Sequence, residues 1–473
     1  MGLFKRSLFI ATGKLFQAIT TFTYTIILSH ILSKFYYGIY QQALLTSRII
    51  VAIMIFGIPT AVFYFLPRFN DKEKNNFIST IMSIMSLLSV GAIVLTYVAS
   101  LNSRVLYGNV IIKEYLLLYG IFIGGRIFSS ILDPFLISRR KEKLVMLYYL
   151  FFNTIEIVFI IIYYWLSLSF ISIFIFFAIV GILQVLVTFL ILTFVYHFKF
   201  TKPNFHIGGK ILSYSHPIAL NNILGILSSN MDKIIISGFL GATYYAIYIN
   251  GSYQIPLISI FISSVVAVIA PDITAFHFKE EHTQLVSVIR KSIDKTSLLV
   301  LPLFIFFLMV SKEFILALYS NKFYASIAIF RITLFILPFR LTNYGNILNL
   351  LGKTKTVLFI SLFELVLNGA LSLTLLRFMG IYGPAISFLI TTIIQIFILI
   401  YYITKTVDTN ITELFPIKNM GNYFLISVLA SLPLFLLKNR FTGIRLLILE
   451  TTVFAVLFMI LYFGRRYFFE RER

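Results

Sequence analysis

The sequence contains no cysteine, which excludes disulfides, thiolate metal sites and cysteine nucleophiles. Charge is scarce as well: 12% of the residues are Asp, Glu, Lys or Arg, against about 25% in soluble domains. Acid is scarcer than base, with 18 Asp and Glu to 39 Lys and Arg. Catalytic signatures are missing. Gly208-Gly209-Lys210 is not a phosphate-binding loop, because Asn204 stands where its first glycine belongs and Ile211 follows the lysine. The six histidines form no zincin pair, and His277 and His282, beside Glu280 and Glu281, read as a solvated surface. Paired carboxylates are absent from the outer loops. The expectation is a non-enzyme without catalytic residues, metal or cofactor.

What the chain has in quantity is apolar surface: 59% of its 473 residues are hydrophobic. At about 20 apolar residues per crossing, the sequence reads as an all-α polytopic membrane protein with about fourteen transmembrane helices. The second is expected over 41–66, the seventh and eighth over 212–239 and 246–270, the tenth over 325–351, and the last two over 420–437 and 443–464. The formal net charge of +21 sits mostly in alternate short loops, such as Arg139, Arg140, Lys141 and Lys143. This is the positive-inside pattern, which places both termini in the cytoplasm and argues against a nucleic-acid partner. The apolar run after Lys5 and Arg6 is too long for a cleaved signal core and is kept as the first span.

One segment, Leu212 to Tyr248, is apolar enough to cross a bilayer yet carries Asn221, Asn222, Ser228, Ser229, Asn230, Asp232 and Lys233. A charge in hydrocarbon costs at least about 2.5–3.5 kcal/mol, so such residues face a protein interior or a watered cavity. The segment ends in a phrase used before. Tyr36-Tyr37-Gly38-Ile39-Tyr40 is echoed by Tyr244-Tyr245-Ala246-Ile247-Tyr248, and the same offset lays Lys14, Gln17, Thr21 and Thr25 on Asn222, Gly225, Ser229 and Lys233. Both sets form one helical stripe. Ile123-Gly124-Gly125-Arg126 is matched by Leu337-Pro338-Phe339-Arg340 at nearly that offset. Six spans repeated give parallel copies related by a pseudo-two-fold along the membrane normal. The expected organisation is an N-terminal lobe at 1–200, a second lobe at 201–408, and two additional helices with a basic tail at 409–473.

The opening span, the SKFYYGIYQQ turn, the FGIPTAVFYFLPRF ending of the second span and NNILGILSSNMDKIIISGFLGATYYAIY resemble the polysaccharide-transporter family (Wzx-type oligosaccharide flippases) of the multidrug/oligosaccharidyl-lipid/polysaccharide exporter superfamily. The resemblance implies two six-helix lobes around a central cavity. The implied work is alternating-access transfer of a polyprenyl-pyrophosphate-linked oligosaccharide, an O-antigen, capsule or exopolysaccharide unit, from the cytoplasmic to the outer leaflet. It further implies a bacterial cytoplasmic membrane location, contact with membrane lipid, and other polysaccharide-assembly membrane proteins as partners; the oligomeric state is open.

The resemblance also implies cavity cations that hold pyrophosphate, with Arg supplying bidentate geometry and Lys a point charge. By position these are Arg48 and Lys233, joined by Arg126 and Arg340 at matching places in the two halves and by Lys14 near the cytoplasmic end. The dull alternatives are snorkelling for Arg48 and Lys14, and helix-tying for the Arg126 and Arg340 pair. Asp232, next to Lys233 and about 100° from it on a helix, is expected to pair with a base on another span or to take part in ion coupling. Glu156 and Glu364, acids in mid-span, are the other ion-coupling candidates. The rival readings are a drug or cation antiporter of the same superfamily, a peptidoglycan-precursor flippase and, from another class, a membrane-embedded glycan polymerase.

Overall fold

The computed structural model describes residues 3–69, 71–196, 201–252, 255–437 and 443–470, and among these residues the regular structure is helical. The first ten helices are α1 (Leu3–Ile31), α2 (Lys34–Met54), α3 (Ile58–Phe65), α4 (Asp71–Leu101), α5 (Ser103–Tyr107), α6 (Ile112–Ser129), α7 (Leu132–Ser138), α8 (Glu142–Trp165), α9 (Ile171–Tyr196) and α10 (Phe205–Gly251). They are followed by α11 (Pro256–Phe278), α12 (His282–Met309), α13 (Ser311–Tyr319), α14 (Ser326–Leu334), α15 (Tyr344–Leu350), α16 (Thr354–Met379) and α17 (Gly383–Val407). The last four are α18 (Ile411–Leu414), α19 (Ile417–Ser431), α20 (Leu434–Leu437) and α21 (Gly443–Glu470). Among the described residues, eleven stretches are long and apolar enough to cross a membrane, one of them the α16–α17 pair counted together. This is a multi-span membrane protein.

Four expected spans differ in detail. The second is broken at Phe56 and Gly57, both at positive φ, so it runs as α2 and then α3. The expected seventh and eighth meet inside one helix, α10, whose backbone leaves helical geometry at Gly241, where φ is 75° and ψ is −173°, a conformation open to glycine; the expected eighth is itself divided between the end of α10 at Gly251 and α11 from Pro256. The tenth is split into α14 and α15 by turns that hold Pro338 and Arg340. Hydropathy does not register such breaks, because one or two backbone angles leave composition unchanged.

The chain divides into two compact units, one of Met1–Asn230 with Ile236–Ala246, the other of Met231–Ile235 with Ile247–Arg473. In the first, α6 packs against α9 and α4, and α1 against α8. Gly125 and Gly181 meet backbone to backbone, with no room for a methyl group on either. Small residues at such crossings let helices approach where burial from water supplies no drive. The Gln42 of the FYYGIYQQ phrase ties one end of this unit together. Its Nε2 donates to the Tyr107 carbonyl and to Ser237 Oγ, each at 3.0 Å, while its Oε1 accepts from Asn109 at 3.1 Å.

The second unit has a core of Ile289, Ile293, Val300, Ile347, Ile403 and Val407 among others. A smaller cluster of Phe306, Val310, Ala430, Leu434 and Phe454 fastens α19 to α21 onto α12 and α13. The repeated pentapeptide keeps its burial in both copies: Tyr36 and Tyr244 are exposed, whereas Tyr37, Tyr40, Tyr245 and Tyr248 are buried.

Candidate functional site

Each unit groups several ionisable side chains within electrostatic reach of one another. In the first, Tyr24, Tyr40 and Tyr119 are buried around Phe177, with ring centroids 5.7, 6.4 and 5.6 Å from it. Arg48 and Arg126 both lie within electrostatic reach of Tyr119, as does Glu156. Three of the residues singled out in the sequence thus surround one tyrosine. Arg48 and Arg126 are exposed and Glu156 is half-buried. Arg126 is the charged neighbour of Glu156, and its guanidinium carbon lies 5.7 Å from the Phe122 ring. Among the described residues neither arginine forms a carboxylate ion pair, so their donors are open to an anion.

In the second unit, Asp232 is fully buried and Lys233 nearly so. They correct the expectation that neighbours on a helix point apart and pair elsewhere: Lys233 Nζ lies 3.3 Å from Asp232 Oδ1 and 3.4 Å from Oδ2. A lysine stem is long and flexible enough to curl back to the preceding carboxylate, and burial makes the pairing worthwhile. The Tyr248 hydroxyl donates to Asp232 Oδ2 at 2.6 Å, and the ammonium sits 5.4 Å from the Phe388 ring centroid. Glu364, buried on α16, has the negative Asp232 and the positive Arg340 as electrostatic neighbours. One turn on, the Asn368 Oδ1 accepts from Ser372 and Ser387, both at 3.0 Å, and its Nδ2 has no hydrogen-bond partner among the described residues. Arg340 also borders a cavity of about 60 Å³ lined by Ser252, Ser259, Thr333 and Phe388.

Lys14 belongs to neither cluster. It lies 3.6 Å from Asp133 Oδ2, which also accepts from the Tyr149 hydroxyl at 2.9 Å. Arg6 and Glu142 form a second ion pair between α1 and α8. The sequence reading missed Tyr248, Asn368, Ser387 and Asp133. Only Tyr248 carried a signal, its place in the repeated pentapeptide.

Residues 27–328 match the family described as Polysaccharide biosynthesis protein. The chain belongs to this family. Over 202 residues it is 27% identical to a protein of Haloferax volcanii described as "Probable low-salt glycan biosynthesis flippase Agl15", an alignment that covers 41% of this chain and 42% of that one. The chain therefore spans less than half the length of that curated relative. Among solved structures, the lipid II flippase MurJ in an inward closed conformation superposes with a TM-score of 0.79 at 18% identity, over 98% of this chain and 100% of the other. An inward-facing multidrug resistance MATE transporter of the MOP superfamily gives 0.66 at 14% identity, over 83% and 94%. At these identities the superpositions show the fold, that of the MOP-superfamily transporters. The relatives are flippases and transporters, not enzymes.

Proposed function

We propose that this member of the family moves a polyprenyl-pyrophosphate-linked oligosaccharide from the cytoplasmic to the outer leaflet, with both termini in the cytoplasm. The observation that carries the reading is the pair Arg48 and Arg126: two exposed arginines on transmembrane helices, close to one tyrosine and, among the described residues, in no ion pair with a carboxylate. A pyrophosphate that leaves water needs replacement charge and hydrogen bonds, which two guanidinium groups supply bidentately. Lys14 in the first unit and Arg340 in the second are further cations for the anionic headgroup, as is Lys233 once Asp232 releases it. The prenyl tail stays in lipid while lobes at 1–200 and 201–408 alternate in access. Asp232 and Glu364, with Glu156 in the first unit, are the groups through which a proton or cation gradient drives the cycle. Support comes from the family match and from a relative described as a glycan biosynthesis flippase.

The test is translocation of a fluorescent polyprenyl-pyrophosphate oligosaccharide in proteoliposomes. The native chain moves it, and Arg48→Ala with Arg126→Ala slows the movement at least tenfold at equal folded protein. If the native chain ignores such glycolipids and exchanges an organic cation for protons or sodium, the buried carboxylates serve an antiporter and the flippase reading is wrong.

A further inference from the structure

The end of α3 and the start of α10, both in the first unit, border an open surface pocket of about 640 Å³ that the mechanism above does not use. It is lined by Tyr64, Phe65, Arg68, Phe205, His206, Lys210 and Tyr214, with Gly209 and Ser213 between them, and none of these is acidic. Arg68, Tyr64 and Tyr214 form a three-layer stack: the guanidinium carbon lies 3.7 Å above the Tyr64 ring, which stacks on Tyr214 with centroids 4.4 Å apart and planes 17° from parallel.

A guanidinium stacked by its face keeps its in-plane N–H donors pointing outward, and the planar fork matches phosphate bidentately. Among the described residues Arg68 and Lys210 have no ion-pair partner. Phe205 adds an aromatic face with no ring contact, 94% exposed. Cations without counter-ions beside an open ring suit a ligand that is anionic at one end and presents an apolar face at the other.

The stack is not a packing device common to both halves of the chain. At the offset that takes Tyr36 to Tyr244, Tyr64 and Arg68 correspond to Asp272 and Phe276, which reverse the charge and lose the pairing. One half alone carries it, as expected of a binding feature.

We infer that this pocket is a separate docking site for the diphosphate-linked first sugar of a lipid-linked glycan, with the phosphates on Arg68 and Lys210 and the sugar ring on Phe205. This rests on the flippase reading and gives it a headgroup-recognition step apart from Arg48 and Arg126. By the distribution of basic loops the pocket faces the cytoplasm, where such a headgroup is assembled.

The purified full chain in detergent is titrated calorimetrically with three probes: a short-chain prenyl-diphospho-N-acetylglucosamine, inorganic pyrophosphate and dihexanoyl-phosphatidylglycerol. The glycosylated probe is expected to bind at least tenfold more tightly than either of the others. Arg68→Ala with Lys210→Ala weakens it at least tenfold, Arg68→Lys weakens it severalfold with the charge retained, and Phe205→Ala weakens the glycosylated probe while leaving pyrophosphate within twofold. Equal binding of phosphatidylglycerol reduces the pocket to an interfacial lipid anchor and overturns the inference. Equal binding of pyrophosphate overturns the sugar platform, and unchanged affinity in the double variant overturns the site. Translocation that persists with unchanged affinity in Arg68→Ala/Lys210→Ala sinks the docking site alone, whereas no translocation by the native chain sinks the flippase reading.

Discussion

The ionisable clusters of the two units stand at one sequence offset from each other and are built from different chemistry. The offset that takes Tyr40 to Tyr248 takes Tyr24 to Asp232, Thr25 to Lys233 and Glu156 to Glu364. In the first unit the Tyr24 and Tyr40 rings pack with centroids 6.0 Å apart, and Thr25 returns its hydroxyl proton to the Thr21 carbonyl at 2.9 Å. In the second, a carboxylate replaces the first phenol, an ammonium replaces the threonine, and the retained Tyr248 donates to the carboxylate at 2.6 Å. One framework thus holds neutral aromatic packing in one copy and a buried ion pair in the other. Aromatic packing has one state, whereas a buried pair can be opened by a proton, a competing cation or an anion. The second unit therefore holds a buried ion pair, and the first carries exposed arginines beside buried aromatic rings.

The comparison breaks most forcefully at Asp232. Asp232→Ala strands the Lys233 charge in the interior and should destabilise the protein by about 3–5 kcal/mol, read as a fall in the thermal unfolding midpoint in detergent. Tyr248→Phe is next: loss of a hydrogen bond to a buried charge costs about 1.5–3 kcal/mol, in the same assay. Removal of both charges with shape kept, Asp232→Asn with Lys233→Met, makes the second unit resemble the first. Stability should change by about 1 kcal/mol or less, while transport loses its dependence on the driving ion; a variant that stays fully ion-dependent would remove the pair from the coupling scheme. The smallest effect belongs to Tyr24→Phe. The Tyr24 hydroxyl has no hydrogen-bond partner among the described residues, so its removal should cost less than about 0.5 kcal/mol. A loss as large as that of Tyr248→Phe would show that the two tyrosines do equivalent work and that the contrast is wrong.

The apolar spans were legible because burial in lipid demands about 20 apolar residues regardless of what they touch. The cations were legible because charge inside such a run is costly enough to need a reason. The repeat was visible in the tyrosine pentapeptides, yet its chemical consequence was not, since Tyr24 and Asp232 share no residue type. The breaks at Gly57 and Gly241 were hidden because many glycines in such helices stay helical, and only packing selects those that leave it. Arg68 read in sequence as one more basic residue of a topology-setting loop; its stacking on Tyr64 and Tyr214 depends on a helix that begins well over a hundred residues later.

By itself the sequence determined that this is a helical, many-span membrane protein with surplus positive charge. Those features depend on composition and on spacing along the chain, which solvation and helical geometry convert directly into structure. Which charges are paired and which stand open was decided by the tertiary structure alone. Lys233 and Arg48 are both cations inside apolar runs; an acid, Asp232, precedes the first, but helical spacing alone sets it about 100° away. One folds back onto Asp232 beneath Tyr248, and the other stays open beside Tyr119. The difference is one of a few ångströms between side chains brought together by packing, the scale on which Coulombic energy and desolvation are settled.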